Sequence, residues 1–382
     1  MENLKEEEIK LLLETTDEQL LEKFPKSKYG FNRGQLRTLK RDLQEEQRKN
    51  ADYILEQTKE RNERNKDKSV NVELIKRIEV LEKEREAMLA LSKQSFSNTI
   101  RPLSESRGEA TAFVIASDWH IEERVSPQSV NGLNEYSLDI AKKRSQEFFQ
   151  IALKLRDLEN KTTNVPRMVL ALLGDFITGN IHEENLAVCS LDPVDAAIEA
   201  KNYLKSGIDF LLKESNLKEI IIPCHAGNHS RITKLPRSSE TEMGNSLELF
   251  TYAFLAQEYA NNPRVKFLIS RSYTSRLQIY DTVLRLHHGH KIKFQGGIGG
   301  ISVPTTKYIL RANTAWEADY DVFGHHHQKQ KGPRFICNGS MIGYNAYAQD
   351  NGFEYEEPSQ TYFLINKRWK DIIDYRPILF SK

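Results

Sequence analysis

Five short segments rich in aspartate, asparagine and histidine each follow a short apolar run, and their placement constrains the fold more than any other feature of the chain. They are Ser117-Asp118-Trp119-His120, Leu173-Gly174-Asp175, Gly227-Asn228-His229, His287-His288-Gly289 and Gly324-His325-His326-His327. An Asp and a His two residues apart at a strand terminus can converge on one cation, and in α/β folds the loops beyond the strand ends are where sites are assembled. Any one segment has an ordinary explanation, because an Asp after a strand is often a turn former and a lone His is more often packing than ligand. Five in succession are hard to explain that way.

The apolar runs read as strands at Ala112–Ala116, Met168–Leu173, Glu219–Pro223, Val265–Ile269, Thr282–His287, Asp321–Gly324 and Arg334–Asn338, with helices at about Ser137–Leu158, Val194–Glu214 and Leu247–Ala260. This alternation implies an α/β sandwich of two sheets flanked by helices over residues 110–382. Residues 95–109 read as a linker. Residues 49–94 read as a long helical arm or weak coiled coil: Leu74, Ile78, Leu81 and Met88 have heptad-like spacing, interrupted by Arg85. A solvated arm and a stalk joining two copies of the chain are both open readings.

Residues 1–48 read as an all-α unit. Lys23, Lys26, Lys28, Arg33, Arg37, Lys40 and Arg41 occur with no acidic residue among them. A helix at about Asp17–Lys23, a turn from Pro25 to Gly30 and a second helix capped by Asn32 would place Arg33, Arg37, Lys40 and Arg41 on one face. That layout suits a helix-turn-helix module with its second helix along a nucleic-acid groove. The plain alternative is a solvated charged face, since acidic and basic residues balance over residues 1–93 as a whole.

Composition narrows the classes. With 382 residues, 39% of them hydrophobic and 29% charged, the chain fits one soluble domain joined to a very polar segment. There is no apolar run of spanning length, and Met1-Glu2-Asn3-Leu4-Lys5-Glu6 is acidic where a secretory signal would be basic, so a cytoplasmic protein without membrane contact is expected. Cys189, Cys224 and Cys337 are too few and too scattered for a disulfide framework or a thiolate zinc site, and are expected as buried thiols. A net charge of +1 supplies no global field for a polyanion, so any nucleic-acid binding must come from a local patch.

The order Asp-x-His, Gly-Asp, Gly-Asn-His, His-Gly, Gly-His-x-His resembles the calcineurin-like metallophosphoesterase superfamily, which includes Mre11/SbcD-like nucleases and related phosphatases. The likeness covers about Phe113–Ser340 and extends to Asn338-Gly339-Ser340, similar to an Asn-Pro-Gly-Ser turn of the family without its proline. The resemblance implies a two-sheet metallophosphoesterase sandwich with two divalent metal ions. It assigns Asp118, His120, Asp175 and His327 to one metal and Asp175, Asn228, His288 and His325 to the other, with Asp175 bridging. Such mixed ligands suit manganese first, with iron or zinc also compatible. Two cations about 3.5–4 Å apart can share a hydroxide and clamp phosphate oxygens during in-line attack. His229 would then protonate the leaving oxygen or stabilise the transition state.

The family usually carries an acid after Gly-Asn-His, where this chain has Ser230-Arg231, so the orientation of His229 through that carboxylate is open and another acid is expected to replace it. Arg231 is expected against a substrate phosphate, which a guanidinium fork matches, with a surface arginine as the other reading. Of His287 and His288, the one preceding Gly289 is chosen as ligand. His182 lies where some nuclease members carry an additional active-site histidine, a capping loop being the other reading. The segment Gln295–Gly300 lacks dinucleotide-fingerprint spacing and reads as a flexible active-site loop.

The leading functional expectation is a phosphodiesterase or nuclease acting on DNA, because a basic helical unit beside the sandwich would hold a polyanion; phage-encoded members with an N-terminal helix-turn-helix segment look similar. The alternatives are a phosphomonoesterase acting on phosphoproteins or nucleotides, and a DNA-binding or scaffold protein with an inactive phosphoesterase domain.

Overall fold

Strand β2, Glu109–Ala116, is buried along its whole length and shows why its run is continuously apolar. Ala112, Val114 and Ala116 face a layer of helices, while Phe113 and Ile115 face a second sheet. Side chains alternate across a strand, so a strand covered on both faces favours apolar residues at successive positions, here Ala112–Ala116. The same division recurs in β3, Asn164–Leu172, with Met168, Leu170 and Leu172 toward the helices and Val169 and Ala171 between the sheets.

The computed structural model describes residues 5–16, 19–25, 28, 32–46, 48–50, 53, 55, 97–103, 108–181, 185–233, 239–293, 300–369 and 371–381. The heptad positions Leu74, Ile78, Leu81 and Met88, the residue His182 and all of Gln295–Gly300 except Gly300 lie outside them. The chain divides into two compact units, Met1–Lys83 and Glu84–Lys382.

The second unit is the expected two-sheet sandwich. The remaining strands are β1 Ser97–Ile100, β4 Glu219–Cys224, β5 Val265–Ile269, β6 Ser275–Ile279, β7 Thr282–Leu286, β8 Tyr320–Phe323, β9 Gln330–Lys331, β10 Phe335–Cys337, β11 Ser359–Asn366 and β12 Ile372–Leu379. One sheet has the order β12-β11-β2-β3-β4-β5 and the other β1-β6-β7-β8-β10-β9. Strands β2 to β5 are mutually parallel, as are β7, β8 and β10, so the C-terminal ends of β2, β3 and β4 lie along one edge of their sheet and those of β7 and β8 along one edge of the other. Helices Leu138–Glu159, Pro193–Glu214 and Leu247–Glu258 cover the outer face of the first sheet, and Ser302–Ala312 packs Ile309 against Phe323 and Phe335 of the second.

The described part of the stretch read as a linker belongs to the sandwich at both ends, in Ser97–Ile100 and Glu109. Ser97–Ile100 pairs in parallel with β6, and its single apolar side chain, Ile100, enters the core between the sheets. Glu109 opens β2 and is fully buried, its carboxylate accepting the Leu103 amide at 2.9 Å. Three polar residues out of four hide a strand whose partner sheet needs only one side chain from it. Among the described residues, no helix is long and apolar enough to cross a membrane. Cys224 and Cys337 are buried thiols as expected, whereas Cys189 is half-buried.

In the first unit, helices Glu6–Glu14 and Leu20–Lys23 and a helix over residues 33–46 enclose Leu12, Phe24 and Leu36, with Leu39 and Leu43 against them. Asn32 caps the last helix: its Oδ1 accepts the Gln35 amide at 2.9 Å while Gln35 Oε1 accepts the Asn32 amide at 2.9 Å, a reciprocal capping box. Arg33, Arg37 and Arg41 are exposed. Lys40 departs from the expected basic face, because its ammonium donates to the Thr15 carbonyl just past the first helix at 2.5 Å. A cation there neutralises the negative end of that helix.

Candidate metal centre

The ligand-type residues sit where their strands stop, and the backbone turns sharply to aim them. Asp118, His120, Asp175, His325 and His327 have φ of 55, 48, 54, 69 and 53°, the left-handed region. Each such residue costs on the order of 1 kcal/mol unless its surroundings enforce it. Here the enforcement is backbone hydrogen bonding between adjacent loops: the Asp118 amide donates to the Gly174 carbonyl at 2.9 Å and the Trp119 amide to the Asp175 carbonyl at 2.8 Å. The glycines of the Gly-Asp and Gly-Asn motifs let these loops touch. A Cβ on Gly227 would lie 1.9 Å from Asp175 Oδ1, and one on Gly174, whose φ is 89°, would lie 2.2 Å from the Gly227 nitrogen.

These turns gather six residues into two groups. Asp118, His120 and His327 form one, and Asp175, His288 and His325 the other, with ligand atoms in each group within 4.8 Å of one another. Asn228 joins the second group, its Oδ1 3.1 Å from His288 Nε2. The groups adjoin, since the His325 amide donates to both Asp118 oxygens at 3.0 Å and the His120 amide to the Asp175 carbonyl at 3.2 Å. All seven expected ligands are therefore brought together.

Two features make the groups fit divalent cations. Each has a carboxylate and two imidazoles, a mixed set suited to borderline metals. Two of the four histidines are also held as ligands are held, by the nitrogen that faces away. His120 Nδ1 is 2.9 Å from Thr178 Oγ1, and its buried Nε2 has no hydrogen-bond partner among the described residues. His288 donates from Nδ1 to the Leu173 carbonyl at 2.7 Å, with Nε2 2.8 Å from Asp175 Oδ2. Fixing one ring nitrogen in this way sets the tautomer and aims the other. Burial, with His229 and His327 nearby, drives the His120 pKa well below its ordinary value, leaving the neutral, metal-binding form. Burial also opposes charge on His288, yet the Asp175 carboxylate outweighs it and raises that pKa to about 10, so the pocket favours positive charge beside Asp175. The two groups can each hold a metal ion.

His229 lies beside both groups. Its amide donates to Asp175 Oδ1 at 2.9 Å, its ring meets that of His120 edge-on at 5.0 Å, and its Nδ1 donates to the Thr178 carbonyl at 2.9 Å. The group that orients it is thus a backbone carbonyl, not the acid that usually follows Gly-Asn-His. Ser230 serves elsewhere, its hydroxyl 2.9 Å from that of Ser246. The guanidinium of Arg231, expected against substrate, is engaged within the protein: Nη1 donates to the Asn228 carbonyl and Nε to the Thr233 carbonyl, at 2.9 and 3.0 Å. His287 packs on Phe323 and lies 3.3 Å from Asp321, which leaves the ligand position to His288.

Several supporting residues carry no sequence motif that would have marked them. Thr178 holds His120 through its hydroxyl and His229 through its carbonyl. Glu248, 2% exposed, accepts the Phe176 amide at 2.6 Å and the Gly227 amide at 2.8 Å, tying the Asp175 and Asn228 loops together. Burial, reinforced by the charge of Asp175, raises its pKa to about 7. Asn338, noted in the sequence for its turn, donates to Ser117 Oγ at 2.9 Å, and Ser117 Oγ donates to Asp118 Oδ2 at 2.5 Å.

Two mixed six-stranded sheets flanked by helices, with paired Asp/His groups at the strand ends, are the architecture expected of a metallophosphoesterase sandwich. No protein-family model matches the chain, and no curated protein matches it in sequence. Solved structures similar to it include a Vps29 single mutant from Entamoeba histolytica (13% identity, 71% of this chain and 99% of that chain, TM-score 0.30). A hypothetical protein from Pyrococcus horikoshii is similar at 12% identity, 71% of this chain and 89% of that chain, with a TM-score of 0.35. Vacuolar Protein Sorting 29 from Cryptosporidium parvum is similar at 14% identity, 72% of this chain and 99% of that chain, with a TM-score of 0.29.

Proposed function

We propose that this chain is a metal-dependent phosphoester hydrolase that uses two cations, manganese foremost, and that its substrate is a phosphodiester of DNA. The observation that carries the hydrolase reading is the pair of adjoining Asp/His groups with His229 beside both and Asp175 in contact with both. Asp118, His120, Asp175 and His327 would hold one ion, and Asp175, Asn228, His288 and His325 the other. When bound, two such ions supply Lewis-acid polarisation of a phosphate and an activated water. The protein's own part is positioning and proton transfer. With Nδ1–H fixed on the Thr178 carbonyl, a protonated His229 gives up its proton from Nε2, so this nitrogen is assigned to the leaving oxygen.

The choice of DNA rests on the first unit, where Arg33, Arg37 and Arg41 are exposed on one capped helix and can contact phosphates without reading bases. Lys40 has a structural use there and is given a lesser part. Phosphate contacts of this kind weaken steeply with salt.

The test is a paired assay with added manganese on bis-p-nitrophenyl phosphate and on single- and double-stranded DNA, comparing the wild type with Asp175→Asn, His229→Ala and a double Arg33→Gln, Arg37→Gln variant. Cleavage of both substrates, lost in the first two variants, with only DNA cleavage weakened in the third, is the expected result. Hydrolysis of small esters with DNA left intact would move the substrate to a phosphomonoester of a protein or nucleotide. DNA binding without hydrolysis of anything would leave a binding protein with an inactive phosphoesterase domain.

A further inference from the structure

Glu242, in the short helix Ser239–Gly244, is 1% exposed, and its carboxylate sits among groups from three different loops. Tyr273 donates its hydroxyl to it at 2.5 Å, His290 Nε2 lies 3.3 Å away, Lys291 Nζ 3.5 Å and Arg231 Nη1 3.7 Å. Burial alone would favour the neutral acid, but the His290, Tyr273 and Lys291 contacts hold its pKa down at about 2, so the group is a fixed anion.

These partners bear on one cation group and not the other. Arg231 Nη1 also donates to the Asn228 carbonyl, so Glu242 fixes the Asn228 loop through the guanidinium. His290 follows His288 by two residues, and its ring lies 5.6 Å from that of His288 and 6.2 Å from that of His325. One buried charge therefore fastens the two loops that present Asn228 and His288 to the same ion. The supports of the first group, Ser117, Thr178 and Asn338, belong to other segments of the chain.

We propose that Glu242 is the positioning residue of the second cation site: it sets the spacing of the Asn228 and His288 loops and so governs occupancy of that site independently of the first. The inference rests on the two-cation reading above. Residues that hold a metal's ligands in place characteristically change its affinity by about 10–100-fold when altered.

The experiment is manganese binding to the full chain, followed by calorimetry and by the paramagnetic resonance of the bound ion, for the wild type, Glu242→Gln, Glu242→Ala and Asp118→Asn. Two ions are expected on the wild type. Both Glu242 variants should bind one ion with unchanged affinity and the other about 10–100-fold more weakly, with loss of the spin coupling between them, while Asp118→Asn weakens the opposite site. If alanine prevents folding, the glutamine variant, which keeps the shape and loses the charge, decides alone. Equal weakening of both sites, or no change in either, overturns the proposal by making Glu242 a general structural residue or a bystander. A wild type that binds no manganese would instead overturn the two-cation reading on which it stands.

Discussion

The carbonyl oxygen of Thr178 accepts the Nδ1 proton of His229 at 2.9 Å, while the hydroxyl of the same threonine lies 2.9 Å from Nδ1 of His120. One residue thus fixes a proposed proton donor through its backbone and a proposed metal ligand through its side chain. The two functions can be separated, because only the second is lost when the side chain changes.

Thr178→Val keeps size and backbone and removes the hydroxyl. Manganese affinity at the site of His120 should fall by about tenfold, whereas turnover of bis-p-nitrophenyl phosphate at saturating manganese should stay within about threefold of the wild type. Titrations of metal binding and of turnover, run side by side, check both halves. A large loss of turnover at saturating metal would mean that the hydroxyl also serves His229.

Gly227→Ala should damage both stability and metal binding. Its Cβ would arrive 1.9 Å from Asp175 Oδ1 and 2.4 Å from the Asp175 nitrogen, neither of which can retreat without moving the left-handed turn at Asp175. A loss of about 1–3 kcal/mol is expected from the overpacking, read by urea unfolding in chelator. Manganese binding at the second site should fall with it.

The ligand types were legible in the sequence because each stands at the end of an apolar run, and the parallel order of β2, β3 and β4 places those ends together. The strands that escaped notice have another character. In β6, Ser-Arg-Leu-Gln-Ile, only Leu277 and Ile279 enter the core, and β1 supplies one apolar residue. β11 is buried almost throughout but begins Ser-Gln-Thr, polar residues used inside the fold; Gln360 Oε1, for example, accepts the Ser117 amide at 3.0 Å. Thr178, Glu242 and Glu248 were invisible for a related reason. They act on backbone groups, on ligands or on side chains that hold the ligand loops, all away from their own segment, and nothing in their local sequence records the contact.

His225, at the end of β4, gives a pH dependence. It is 1% exposed, its Nε2 lies 2.7 Å from Ser275 Oγ, and burial, with His287, His288 and His290 nearby, lowers its pKa from 6.5 to about 3. Between those values the unfolded chain holds the extra proton. The stability linked to this group is therefore complete above pH 6.5 and declines as the pH falls toward 3, by about 1.4 kcal/mol per unit. His225→Gln removes the titration, so the loss of unfolding free energy between pH 7 and pH 5 should be about 2 kcal/mol smaller than in the wild type, measured by urea unfolding at both values.

Asn32→Ala opens the capping box of the helix over residues 33–46. The cost should be about 1 kcal/mol, borne by the first unit alone. Hydrogen exchange read by mass spectrometry on the full chain should show amides of that helix exchanging about fivefold faster, with strands β2 to β4 unchanged. Equal acceleration in both places would mean that the two units unfold together.

Five of the proposed ligand residues hold left-handed backbone conformations, and hydrogen bonds between adjacent loops hold Asp118, His120, Asp175 and His325 in theirs. In small zinc-dependent modules the ion organises the polypeptide, and its binding energy is the folding energy. Here the sandwich bends the chain into those conformations through its own packing, so an arriving ion would meet donors that are already aimed. Most of the ordering entropy has been lost at folding, which leaves affinity to the chemistry of the donors. Exchange of one metal for another would then be a substitution inside a rigid frame, in which ionic radius and preferred geometry decide between competitors.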